Sequence, residues 1–213
     1  MKTDELVAML AAGAGPVDPD ATTRRFATAI SWGAFGATLL MMIALGARPD
    51  LSEAARLPMF WIKFAFPACV AVAALYAAAR LSRPGARLGR APAALAAPVL
   101  VIWAMAAYAL ASAAGPDRAA LMFGESSSVC TLIIAILSLP VFAAALWAMR
   151  GLAPTRPALA GAATGLLAGA IGALVYAFHC TEMDVPFLAF WYSFGMLIPA
   201  AAGTLIGPWL LRW

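Results

Sequence analysis

Six apolar stretches, each near twenty residues and each closed by a turn-forming break, decide what this chain can become. They run at about 26–46, 59–79, 92–113, 129–149, 158–180 and 187–211. About twenty apolar residues wound as a helix cross the ~30 Å hydrocarbon core of a bilayer. In that core, backbone N–H and C=O groups must find partners within their own segment, so the stretches read as helices. The breaks are short: Arg48-Pro49-Asp50, Arg83-Pro84-Gly85, Gly115-Pro116-Asp117 and Ala153-Pro154-Thr155. Connections of this length leave no room for an extramembrane domain and make successive helices antiparallel neighbours. Composition agrees, at 64% hydrophobic and 11% charged residues, where a soluble domain is nearer half apolar and a quarter charged. The expected fold is an all-α membrane protein of six transmembrane helices.

Lys and Arg near the span ends set the orientation. One set of ends carries Lys2, Arg24, Arg25, Arg80, Arg83, Arg87, Arg90, Arg150, Arg156 and Arg212; the other carries Arg48, Arg56 and Arg118. The first set is expected on the cytoplasmic side, and both termini with it. Trp61, Trp191, Tyr192 and Trp213 fall where interfacial aromatic belts are expected.

The division is into residues 1–23, outside the bilayer, and 24–213, the six-helix domain. In the first segment Thr3 can cap a short helix, with Asp4 and Glu5 in its first turn and Gly13 able to end it. Leu6, Val7, Met9 and Leu10 share one side of that helix. Two or three turns are marginal alone in water, so such a helix orders against something else. A turn-rich link, residues 15–20 (GPVDPD), follows.

The strongest local signal lies in the fifth stretch. Gly161, Gly165 and Gly169 are four residues apart and stack on one helix face, with Gly172 extending the stripe. Missing side chains let a neighbouring helix backbone approach, which is how helices associate in lipid. The stretch runs into His179-Cys180, the only histidine beside a cysteine, with Glu182 and Asp184 beyond. Cys130 opens the fourth stretch just after Ser126-Ser127-Ser128, which can supply its helix cap. Cys130 is 20 residues from Arg150 and Cys180 is 24 from Arg156, so at ~1.5 Å per residue both thiols reach nearly the same depth of a hairpin. There they can meet as a disulfide, or bind a soft metal with His179 and Glu182. Cys69, mid-span, reads as small apolar packing. Lys63, near the start of the second stretch, can snorkel to the interface or pair with an acid such as Glu53, Glu125 or Glu182.

Other chemistry is missing from the chain. No glycine loop cradles phosphate, no carboxylates pair inside a span, and no serine has a base in reach. No Lys/Arg run interleaves with aromatics, so nucleic acid is not a direct partner. Three cysteines are too few for a disulfide scaffold. No cofactor is called for beyond a transient heavy-metal ion, and the chain does not read as an enzyme. A membrane thiol oxidoreductase working Cys130 and Cys180 against a quinone calls for a Cys-x-x-Cys or a second cysteine pair. A small metal or solute exporter calls for polar ligands along a central path, and here the span centres are Ala, Leu, Ile and Gly, interrupted by Pro67 and Pro140.

The opening Met1-Lys2-Thr3-Asp4-Glu5-Leu6, Arg83-Pro84-Gly85, Cys130 with Leu137-Ser138-Leu139-Pro140, and Ala153-Pro154-Thr155-Arg156-Pro157 form one ordered set. The glycine stripe into His179-Cys180, Phe190-Trp191-Tyr192 and terminal Leu211-Arg212-Trp213 complete it. In order and spacing, over nearly the whole chain, these features resemble the NrsF family, "negative regulator of sigma F", six-span anti-sigma factors of the bacterial inner membrane. The resemblance implies that the N-terminal segment, with Asp4, Leu6, Val7, Met9 and Leu10, holds an extracytoplasmic-function sigma factor at the membrane. It implies that Cys130 and Cys180, with His179 beside them, carry the sensing of metal or oxidant stress. A change there is expected to reach the partner through packing of the fourth and fifth helices at the glycine stripe.

Overall fold

A computed structural model describes residues 3–12, 21–152 and 154–212 of the protein. The expectations for Lys2, Gly13, the 15–20 link, Ala153 and Trp213 lie outside the described residues. The helices are α1 (Thr3–Ala12), α2 (Ala21–Ala44), α3 (Leu51–Ala54), α4 (Pro58–Leu81), α5 (Ala91–Ser112), α6 (Asp117–Phe123), α7 (Ser127–Arg150) and α8 (Pro157–Tyr176). The last membrane helix is α9 (Val185–Phe187), one π-helical turn (Leu188–Tyr192) and α10 (Ser193–Leu210). Six segments are long and apolar enough to cross a membrane: α2, α4, α5, α6 with α7, α8, and α9 through α10. Prolines open several of them, in the first turns of α4, α5, α8 and α9, where a missing N–H costs nothing and the fixed φ suits a helix.

The fifth expected span is shorter than the sequence suggests. Its helix stops at Tyr176, and residues 177–184 turn and run extended before α9 begins. His179 and Cys180 therefore sit on a loop folded over the helix end rather than on the helix.

α8 is the axis of the bundle. Its most apolar window is 72% buried, against 11% for α5 on the periphery. α10, α7 and α4 pack around it, α2 lies against α7, and α5 leans on α4 and α9. The glycines make this possible. A Cβ on Gly161 would fall on the carbonyl of Gly203, and one on Gly165 on the carbonyl of Pro199. One on Gly169 would lie 2.7 Å from Met196 O. The contact is reciprocal, because Gly203 and Gly207 meet the carbonyls of Gly161 and Pro157. Backbones touch directly, and dispersion and Cα–H···O contacts replace side-chain packing.

Gly172 departs from the expected stripe. Its Cβ would meet Ile134 O at 2.8 Å and Ser138 N at 3.0 Å, both on α7. The side chain of Ile134 also lies on Gly195 of α10, so α7 enters between the two helices at that level. The stripe thus binds the fifth span to the sixth, and only its last member touches the fourth.

Candidate functional site

The loop over the end of α8 gathers the polar groups that the apolar spans lack. Arg48, in the α2–α3 connection, is 7% exposed. It donates from Nε and Nη2 to the two carboxylate oxygens of Asp50, both at 2.7 Å, and from Nη1 to Cys180 O at 3.2 Å. Its own N–H bonds Phe178 O at 3.0 Å. Such a bidentate, charge-assisted pair fixes the strap of residues 46–50 against the 178–180 loop. The hydrogen bond from Arg48 holds the Asp50 carboxyl below its ordinary range, and the same contact raises Arg48.

Lys63 neither snorkels nor pairs with an acid. It is fully buried, and Nζ donates to Cys180 O at 2.6 Å and Glu182 O at 2.7 Å. The reason is local: α8 ends low, the chain folds back over it, and two carbonyls come to lie directly above the α4 lysine. Polar partners are nearer inward than outward. Among the described residues no carboxylate is within ion-pair distance of Nζ, since Arg48 and Asp50 form the ion pair of this end. Lys63 also interacts with the Cys180 thiol and stands 5.9 Å from the centre of the Tyr192 ring, a weak cation–π contact.

Glu182 turns the other way. Its Oε1 accepts from the backbone N–H of Glu125 at 2.8 Å and of Ser126 at 3.2 Å, and from Ser126 Oγ at 3.2 Å. The serines make no side-chain cap at the start of α7; a carboxylate 56 residues further along supplies it, at the end where the helix dipole favours negative charge. Gly124 makes the approach possible, with φ of +49° and a Cβ position 2.6 Å from Glu182 Oε1.

Cys130, in the first turn of α7, is wholly buried, and Cys180 is 3% exposed. The two belong to one packed cluster with Tyr176 and Tyr192, and the Tyr176 hydroxyl interacts with both thiols. Both cysteines of the pair expected from equal helix depth are buried in this cluster, as free thiols. Tyr192 is not an interfacial belt residue: it is fully buried, with a hydroxyl that has no hydrogen-bond partner. The π turn that carries it is anchored by Trp191, whose Nε1 donates to Met122 O at 2.8 Å. π turns of this kind recur at functional sites. Trp61 is 62% exposed, as a belt residue should be.

His179 is partly buried, with Nδ1 2.9 Å from Gly46 O. A carbonyl only accepts, so Nδ1 carries a proton and donates it to Gly46 O. His179, Cys180, Tyr176, Ser126 and Arg48 line a cleft of about 260 Å³. Among the described residues no three His, Cys, Asp or Glu side chains converge to hold a metal ion, so Cys130, Cys180 and His179 are not gathered as a three-ligand set. Cys69 does not pack inward; it is exposed and lines an apolar groove with Phe66, Pro98 and Ile102. The N-terminal candidates are all displayed: α1 buries none of its residues, and Leu6, Val7, Met9 and Leu10 are 40–68% exposed. Thr3 is already helical rather than a cap.

Lys63 as an anchor of the cysteine loop, Glu182 as a cap and the second small-residue stripe were missed in sequence. The stripe had a readable signal, because Gly195, Pro199, Gly203 and Gly207 repeat every four residues. The first two had none, since both depend on where α8 stops.

The chain matches the sequence model of the family described as "Negative regulator of sigma F" over residues 10–213. It is 55% identical, over the full length of both chains, to the "Probable anti-sigma-F factor NrsF" of Azospira oryzae. To the "Anti-sigma-F factor NrsF" of Caulobacter vibrioides it is 43% identical, again end to end. No solved structure matches it. With a family match across six apolar helices and relatives aligned from end to end, the chain belongs to the NrsF family.

Proposed function

We propose that this is an anti-sigma factor that holds an extracytoplasmic-function sigma factor at the membrane through α1 and lets it go when Cys130 and Cys180 meet metal or oxidant. As a family member it is a regulator rather than an enzyme, and a multi-pass protein of the bacterial inner membrane. The observation that carries the reading is α1, a ten-residue helix with no buried residue and an apolar row at Leu6, Val7, Met9 and Leu10. Asp4 and Glu5 stand in its first turn. An amphipathic helix left without an intramolecular groove is built for a partner's groove. Both relatives are named for anti-sigma activity. At the far end of the chain's topology, two free thiols lie buried under a loop that is pinned by Lys63 and Arg48. Any bond formed at Cys180 acts on that loop, and through Cys130 on the start of α7.

The test is co-purification. Tagged protein solubilised from its own host is compared with a form lacking residues 3–12, and with a Cys130→Ser/Cys180→Ser form before and after metal or oxidant treatment. A sigma factor bound to the parent, absent from the truncated form and retained by the double serine form after stress is expected. No sigma factor with the intact chain overturns the anti-sigma reading. Equal release from the parent and the serine form overturns the sensor reading.

A further inference from the structure

We propose that the notch where α4 meets α5 is a binding site for one anionic phospholipid, its phosphate held by Arg80, Arg87 and Arg90 and one acyl chain laid along α5. The apolar half of the site comes from packing. α8 and α10 close until their backbones touch, but α4 and α5 do not, although small side chains line both: Ala65 and Cys69 on one, Ala94 and Ala97 on the other. Between them runs a groove of about 490 Å³ that Pro98 and Met105 complete. Both walls belong to helices that can cross a membrane, and α5 is the least buried of the six. In hydrocarbon such a groove takes up chain, because each methylene that fits gains the dispersion contacts that the two helices forgo. Along α5 it runs from Ala94 to Met105. At ~1.5 Å per residue that is ~16 Å, about the depth of one leaflet of a ~30 Å core.

The polar half is continuous with the groove. The Ala94 N–H bonds Arg90 O at 3.0 Å, so the groove opens one helical turn from Arg90. The connection between the helices turns at Gly85 and Gly89, with φ of +71° and +55°, and folds back on the end of α4. There Arg80 donates from Nε to Arg87 O at 3.0 Å, and its guanidinium carbon stands 6.0 Å from the centre of the Tyr76 ring. A Cβ on Gly89 would lie 3.7 Å from Tyr76 Oη and 3.8 Å from Arg80 Nη2. The Nε bond fixes this guanidinium beside the loop, and its Nη groups are donors that a phosphodiester accepts in pairs. Arg83, Arg87 and Arg90 are exposed around it. The sequence has no Asp or Glu between Glu53 and Asp117, so neither helix neutralises the cluster. An ethanolamine headgroup brings its own cation to these arginines and a glycerol headgroup does not, which selects anionic lipid. Basic pockets at the ends of membrane helices recognise such headgroups.

The full chain in detergent micelles is titrated with phosphatidylglycerol or phosphatidylethanolamine of matched acyl chains, and bound lipid is counted by native mass spectrometry. Phosphatidylglycerol is expected to be retained one to one, about tenfold or more tighter than phosphatidylethanolamine. Arg80→Gln with Arg87→Gln should remove that preference and change phosphatidylethanolamine much less. Ala97→Leu, which fills the groove, should weaken both lipids. Arg150→Gln with Arg156→Gln, on the α7–α8 connection, should change neither. Phosphatidylglycerol carrying a diazirine on its acyl chain should cross-link to residues 62–69 and 94–105. Equal loss in the two arginine pairs overturns the proposal, because the effect is then one of overall charge. Indifference to headgroup, displacement of the lipid by inorganic phosphate, or a dimer that excludes lipid overturns it too. Should the Arg80→Gln/Arg87→Gln form fail to fold, cross-linking of the parent decides. Competition by unlabelled phosphatidylglycerol and not by phosphatidylethanolamine supports the site, and equal competition sinks it.

Discussion

At the scale of single residues, the thiol end is an exercise in satisfying buried polar groups with very few polar side chains. The loop 177–184 has no helix or sheet to use its carbonyls, and a buried carbonyl without a donor costs about 1–3 kcal/mol. Lys63 and Arg48 supply the donors at Cys180 and Glu182. Arg48 does so only while Asp50 keeps it aimed, which yields a pH prediction. Asp50 is an acid whose carboxyl is held below its ordinary range by the Arg48 hydrogen bond. Its contribution is therefore fully present above the unfolded value, ~3.9, and is lost as pH falls through the lower folded one. The strap 46–50 should hold from neutrality down to about pH 4 and loosen below it. Hydrogen exchange at the Arg48 amide, which bonds Phe178 O at 3.0 Å, reads this directly once corrected for intrinsic rates. Asp50→Asn should exchange faster already at neutral pH and show no further acid step. The Asp50 side chain is 46% exposed, so the strap loosens without unfolding the bundle. A variant with the parent's acid step would sink the account.

Between elements, the decisive contact is α8 against α10. Lipid gives helices no hydrophobic reason to associate, so the geometry must let backbones touch. Gly161→Ala and Gly165→Ala place a methyl onto carbonyls of Gly203 and Pro199. Neither is a flexible side-chain tip, and the helices must part. Each substitution is expected to cost about 1–3 kcal/mol, outweighing the ~1 kcal/mol by which alanine favours a helix over glycine. Gly115→Ala, with nothing within 4 Å, should stay within ~0.5 kcal/mol of the parent. Unfolding midpoints in mixed micelles would rank the three, and a Gly161→Ala form as stable as Gly115→Ala would refute the close-contact reading. This is also where the limits of sequence reading show. The period of four in Gly161, Gly165 and Gly169 announces a close interface, and apolar length announces six spans, because both are local properties of one helix. Which helix fills the stripe is not local: Gly172 meets α7 only because Ile134 wedges between α8 and α10. The same holds at the site. Cys130 and Cys180 could be set at one depth by counting residues from a hairpin, and both are buried in one cluster. The inward turn of Lys63 could not, since it depends on α8 stopping at Tyr176 rather than at Cys180.

For the whole molecule, the remaining question is which way the bundle faces, and we propose an orientation from charge. Ten Lys and Arg residues flank one set of span ends and three flank the other, and basic residues near span ends stay on the cytoplasmic side. On the proposed orientation α1 lies on the cytoplasmic side, where a sigma factor would be met, and the Arg48–Lys63–Cys180 end lies on the opposite face. The reverse orientation would submerge the thiols in the reducing pool of the cytoplasm and offer α1 to a compartment without RNA polymerase. Single cysteines in a background of Cys69→Ser, Cys130→Ser and Cys180→Ser test it. Ala114→Cys reports on the exposed α5–α6 connection and Ala86→Cys on the α4–α5 connection. A membrane-impermeant maleimide added to spheroplasts should label Ala114→Cys at once and Ala86→Cys only after lysis. The opposite pattern would invert the protein, and with it the assignment of a sensing end and a holding end. Labelling of both sites before lysis would mean a chain inserted in two orientations and would overturn the orientation proposed from the ten-to-three charge bias.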